Sequence, residues 1–160
     1  SEVCLMLAAG LGGRAWQLPV PAIVDDAVAA KALLDTAAVR SVFETMRRST
    51  IALVGVGSMS PRATVFRHGV IDPGYIRTIA AKGAIGTICG RFIGPDGKPV
   101  PSDFDDRTLS VTLAELAAVP LGIAAAVGAA KAPAIRAAVT GRLVNALGTD
   151  SETARALLDG

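Results

Sequence analysis

The chain has 160 residues, 51% of them hydrophobic, with 16 Lys and Arg against 14 Asp and Glu. The resulting charge of +2, spread along the sequence, argues against a dedicated nucleic-acid-binding module, and the length fits one domain that buries roughly two thirds of its unfolded surface. Cys4 and Cys89 lie far apart without CxxC or Cys/His spacing, so neither a metal site nor a disulfide is indicated, and a reduced, cytoplasmic setting is expected.

Ser1 to Gly13 lacks the basic n-region and cleavage pattern of a signal peptide. Within it, Val3 to Leu11 predicts a short apolar helix closed by Gly12-Gly13, and Ala15 to Leu18 a strand bounded by Pro19 and Pro21. Asp25-Asp26 and Asp35 stand before apolar segments, which predicts capped helices over Ala27 to Leu34 and Ala37 to Arg48; Arg47 and Arg48 suit the negative end of the second. Ile51 to Ser58 reads as a buried parallel strand covered on both faces.

Asp72-Pro73 opens a helix to about Ala81, with proline at a tolerated first-turn position. Gly83 to Phe92 and Val100, joined by the turn Gly94 to Pro99, predict a hairpin. Strands follow at Leu109 to Thr112, Leu121 to Val127 and Leu143 to Leu147. Helices alternate with them at Leu113 to Ala118, Lys131 to Val139 and Ser151 to Leu158, the last capped by Thr149-Asp150. This order predicts an α/β domain with a mostly parallel sheet. The longest apolar run, Val119 to Ala130, is interrupted by proline and glycine and is too short to cross a bilayer, so no membrane partner is expected.

In such sheets ligands sit beyond the carboxyl ends of the strands, which directs attention to Gly55 to Met59, the turn after Ile85, and Val127 to Lys131. Gly128 lets backbone approach a ligand, the following helix start offers N–H groups, and Lys131 adds a cation; together these suit an anion such as a sugar phosphate, although a glycine before a helix is also an ordinary turn. Gly55-Val56-Gly57 lacks the third glycine of a dinucleotide site, so no cofactor is expected. Arg67 and Arg91 could each grip a phosphate or carboxylate, or be salt-bridged. His68 has no triad partner nearby in sequence, Trp16, Phe66, Phe92 and Phe104 read as packing residues, and no acid/base pair for catalysis emerges.

Taken in order, Leu18 to Ala22, Ala52 to Ser58, Gly83 to Phe92, Lys131 to Ile135 and Leu143 to Asp150 resemble the effector-binding domain of SorC-type, DeoR-like transcription regulators over nearly the whole chain. The resemblance implies a Rossmann-like three-layer sandwich of the glucosamine-6-phosphate deaminase and ribose-5-phosphate isomerase type. It further implies a sugar or phosphosugar effector, no catalysis, and a homo-oligomer, dimer or tetramer. Carried over by motif, the pocket residues are Gly57, Ser58, Arg67, Gly86, Thr87, Gly128 and Lys131. Thr87 stands where the family has an acidic residue, and Val127-Gly128 where it has two glycines. The helix-turn-helix through which such regulators contact DNA, and the first strand with its phosphate loop, have no counterpart in these residues, which read as a partial effector-binding domain. Two further readings stand beside this one: an isomerase- or deaminase-like enzyme, and a domain serving only oligomerisation.

Overall fold

Ile51–Ser58 carries no charge and alternates branched with small side chains, and it forms β1, the middle of a five-stranded sheet ordered β3-β2-β1-β4-β5. The fold is that of a computed structural model, which describes residues 2–60 and 71–159. Along the chain the elements are α1 (Glu2–Gly10), α2 (Ala27–Leu34), α3 (Ala37–Arg47), β1, α4 (Pro73–Ala81), β2 (Gly86–Ile88), β3 (Arg91–Ile93), α5 (Leu113–Ala117), β4 (Leu121–Ala125), α6 (Ala132–Thr140), β5 (Ala146–Gly148) and α7 (Ser151–Leu158). Short 3-10 turns stand at Asp105–Arg107 and Ala129–Lys131.

The sheet is mixed. β1, β4 and β5 run parallel, with Ile51 opposite Leu121 and Ile123 opposite Ala146. β2 and β3 add an antiparallel hairpin against the last three residues of β1, pairing Val56 with Ile88 and Ser58 with Gly86. One face packs Val56, Ile88, Ile93 and Ala124 against Leu116 of α5 and Ala134, Ile135 and Ala138 of α6. On the other, Phe92 joins Ile76 and Ile79 of α4, together with Phe104. The expected α/β architecture is therefore present, with helices on both faces.

α2, α4, α5 and α7 begin where the sequence predicts, each closed by an N-cap side chain that accepts a backbone N–H: Asp26 from Ala29, Asp72 from Gly74 and Tyr75, Thr112 from Glu115, and Asp150 from Thr153. α1 ends as expected, with Gly12 at φ +65° and Gly13 N–H donating to the Ala8 carbonyl.

Several expectations are corrected. Asp35 does not cap α3; Thr36 precedes that helix, and Asp35 ends α2 in an ion pair with Lys31. Ala15 to Leu18 and Leu109 to Thr112 form no strand, since neither segment reaches the sheet; only Thr108 makes a single bridge, to Ile23. The hairpin turns earlier than predicted, at Cys89-Gly90, where both residues have positive φ, and Gly94 to Pro99 instead folds back on β3 through an Ile93–Pro99 bridge. The last strand starts at Ala146 rather than Leu143, because Leu143 and Val144 are drawn into the core under α6. β1 is also not covered on both faces: Ile51 is 58% and Leu53 49% exposed.

α6 lies close to the sheet and to the turn after β3. A Cβ on Gly86 would run into Ala134, and Gly97, at φ +75°, stands with its Cα against Gly141. Gly97→Ala is expected to lower stability by about 1–3 kcal/mol, a drop of several degrees in Tm for a chain of this size, because the added methyl meets the backbone of Gly141 and Ala137. Thermal unfolding followed by circular dichroism measures it.

Candidate functional site

Parallel β4 and β5 end side by side at Ala125 and Gly148, and the chain leaves both ends through loops tied to each other. Ala126 N–H donates to the Gly148 carbonyl at 3.1 Å, and the Thr149 hydroxyl donates to the Ala126 carbonyl at 2.6 Å. Beyond them opens a shallow groove of about 530 Å³ lined by Ala125, Ala126, Val127, Lys131, Gly148, Thr149 and Asp150. Its walls are mostly backbone and small side chains, with a cation from Lys131 and a carboxylate from Asp150.

Gly128 adopts φ 114° and ψ 121°, a conformation that requires glycine, and nothing lies within 4 Å of where a Cβ would be. Its N–H donates to the Thr153 hydroxyl at 2.8 Å. The Gly128 carbonyl accepts from Lys131 N–H at 2.9 Å, closing the turn that precedes α6. Hydrogen bonds from the Thr153 hydroxyl and N–H hold the Asp150 carboxyl below its ordinary range, so Asp150 is a fixed anion at the start of α7.

Four other predicted residues meet at the carboxyl end of β1. Gly57 stands opposite Thr87 and Ser58 opposite Gly86. Thr87 is buried with its hydroxyl over Gly57, where any Cβ would collide with it, and the Ser58 hydroxyl accepts from Ser60 N–H at 3.4 Å. Gly86 turns toward Ala134, so its lack of a side chain serves helix packing. Gly128 and Lys131 form the second cluster, and their turn packs against both β1 and α7. Arg67 lies outside the described residues, as do Phe66 and His68.

Arg91 is an internal strut. Its side chain, 14% exposed, donates to the carbonyls of Val111, Asp105 and Ser110 and pairs with the Asp105 carboxylate at 3.5 Å. Burial pushes the neighbouring Cys89 thiol up despite the adjacent Arg91 charge, which leaves it a poor nucleophile. Among the described residues no group of His, Cys, Asp and Glu has the spacing of a metal site.

The model of one protein family, described as "Putative sugar-binding domain", matches residues 1–159. The chain belongs to this sugar-binding domain family. The domain is 40% identical over 144 residues to the transcriptional regulator LsrR of Klebsiella pneumoniae, a match covering 88% of this chain and 45% of that protein. Its identity to the deoxyribonucleoside regulator of Bacillus subtilis is 32% over 142 residues, covering 89% and 45%. It superimposes on the structure of a DeoR family transcriptional regulator from Listeria monocytogenes with a TM-score of 0.91 at 26% identity, covering 98% of this chain and 63% of that one. The domain thus spans about half the length of the curated relatives it matches.

Thr149 and Asp150, which line the groove, and the enclosed Thr153 behind them are not among the pocket residues that the sequence predicts. Their signal was present: a Thr-Asp pair immediately after a strand of the parallel sheet, followed by a threonine at the third helical position.

Because the folded-state pKa of Asp150 lies below its ordinary value of 3.8, the contribution of this anion is fully present above that value and is lost as pH falls through the folded pKa. Asp150→Asn keeps a good N-cap without the titration. The variant is expected to lose less Tm than the parent between about pH 5 and pH 3, as read by thermal unfolding across that range. Arg91→Met is expected to cost about 3 kcal/mol or more, since it strands three carbonyls and Asp105, and denaturant unfolding measures the loss.

Proposed function

We propose that this domain senses a sugar or sugar-phosphate effector for a bacterial transcription regulator and does not catalyse a reaction. The observation that carries the proposal is the groove at the carboxyl ends of β4 and β5, where Lys131 and Asp150 line one opening at the place a parallel sheet reserves for ligands. A cation beside a fixed carboxylate suits a ligand with an anionic end and a hydroxyl-bearing end: Lys131 pairs with the phosphate, and Asp150 accepts hydroxyl hydrogens.

The residues assigned to contact or shape the pocket are Lys131, Gly128, Gly57, Ser58 and Thr87, with Gly86 acting through its packing and Arg67 as a further anion-binding group. The regulators LsrR and the deoxyribonucleoside regulator, both matched over most of this domain, support the sensing role. Asp150 also favours binding over turnover. It is the one carboxylate among the groove-lining residues, and it is committed to capping α7, which suits a fixed acceptor better than a proton-shuttling base.

We place the domain in the cytoplasm, as part of a homo-oligomer whose DNA contact is made by a helix-turn-helix outside these residues. No helix among the described residues is long and apolar enough to cross a membrane.

A panel of sugars and sugar phosphates tested by thermal shift is expected to contain at least one phosphosugar that raises Tm. At a hundredfold excess over Kd the linkage amounts to about 2.7 kcal/mol, or about 5 to 10 °C at this chain length. Lys131→Ala is expected to abolish that shift while leaving the ligand-free Tm within about 1 °C of the parent, since surface substitutions cost little. A panel without any shift would count against the sensing role, and turnover of a sugar phosphate would favour an enzyme.

A further inference from the structure

Thr153 is one of three buried polar residues among those described, and its side chain is fully enclosed, 0% exposed. A hydroxyl in such a place is kept only with partners, because an unpaired one would forfeit its hydration. Its partners lie on two different segments. The Thr153 oxygen accepts the Gly128 amide at 2.8 Å, while its hydroxyl and its backbone N–H, the latter at 2.7 Å, both donate to the Asp150 carboxylate.

The contact with Gly128 matters because of what surrounds that glycine. No atom packs where its Cβ would be, so side-chain contacts do not hold it in place, and its positive φ is one of several backbone states open to glycine. What fixes it is hydrogen bonding: its amide to Thr153 and its carbonyl to Lys131 N–H at 2.9 Å. From α7 to Lys131 there runs a path of two hydrogen bonds through one residue. Upstream, the same loop is clamped at Ala126 by Gly148 and Thr149, so both ends of Ala126 to Gly128 are tied to the β5–α7 corner.

Building on the proposed effector site, we infer that Thr153 is its positioning residue: its hydroxyl fixes the Gly128 amide and thereby the turn that carries Lys131. It does not touch the effector. It sets where the ammonium group can reach, and it couples the two walls of the groove, so that Lys131 and Asp150 keep a constant relation to each other.

The test uses the full 160-residue chain in three forms: parent, Thr153→Val, which keeps the shape and removes the hydroxyl, and Thr153→Ser, which keeps the hydroxyl and removes the methyl. Amide hydrogen exchange read by NMR is the first measurement. Gly128 in Thr153→Val is expected to lose protection by tenfold or more, with Ala137 in the middle of α6 unchanged as a control on folding, and Thr153→Ser is expected to restore it. Unchanged Gly128 protection in Thr153→Val, or equal loss in both variants, would overturn the inference by making Thr153 a packing residue. Should Thr153→Val fail to fold, Thr153→Cys, close in volume and a weak acceptor, takes its place in the same comparison.

The second measurement is the Kd for glucose 6-phosphate, with inorganic phosphate as the bare-anion probe. Binding of either probe weakened fivefold or more in Thr153→Val and recovered in Thr153→Ser supports the inference. Binding lost in Lys131→Ala but unaltered in Thr153→Val overturns it. If the parent binds neither probe, the anion site at Lys131 is wrong, and the exchange measurement still decides whether Thr153 holds the turn.

Discussion

The close approach of α6 to the sheet is the constraint on which the rest depends. A helix can sit this near to strands only where side chains are small on both sides, and here Ala134 meets Gly86, while Gly141 meets Gly97 in the turn beyond β3. Ala132, Ala134, Ala137 and Ala138 are all buried along that face, with Ile135 filling the space between them. A methyl group added at these points has nowhere to go, since the neighbours are backbone atoms and the rigid Ala134 Cβ rather than flexible side-chain ends. Because α6 begins directly after Lys131, its seating also decides where the groove's cation stands. Packing and site are thus set by the same contacts.

The two core clusters divide the work differently. The cluster under α5 and α6 draws on the parallel strands and on Ile88 and Ile93 of the hairpin and is dominated by aliphatic and small residues. The cluster under α4 holds Phe92, Phe104 and Tyr75, with the Tyr75 ring edge-on to Phe104 at 4.9 Å and the Tyr75 hydroxyl accepting the Asp103 amide. Arg107 stacks over Phe104 and reaches the Asp25 carbonyl, which fastens the segment before α2 to the segment before α5. Irregular chain on this side is held by hydrogen bonds from side chains to backbone, as an unpaired loop near a core must be.

What the sequence disclosed follows from this. Helix starts were legible because Asp26, Asp72, Thr112 and Asp150 act within three residues of themselves, a range that local pattern captures. Neither Ala15 to Leu18 nor Leu109 to Thr112 forms the expected strand, because short segments with apolar or β-branched residues look alike whether or not a partner strand lies beside them, and pairing is a tertiary fact. The left-handed Cys89 was hidden for a similar reason: a cysteine before a glycine carries little turn signal, yet the hairpin pairing imposes positive φ on both. Of the candidate site, Lys131 and Gly128 were legible from a glycine preceding a helix. The capture of the Gly128 amide by Thr153 was not, since it joins residues 25 positions apart.

α7 has a place at each end of this arrangement. The residues that lead into it, Thr149 and its N-cap Asp150, line the groove, and near its last turn the Leu157 carbonyl accepts from the Arg136 guanidinium of α6 at 2.6 Å, beyond which Leu158 projects into solvent at 85% exposure. Eight helical residues make a rod of about 12 Å, stiff because its hydrogen bonds are internal. The rod is held along its length, with Thr153 enclosed near its head and Leu157 packed against the core near its tail. The groove residues Thr149 and Asp150 and the solvent-facing Leu158 therefore stand at opposite ends of one stiff element, a full helix length apart.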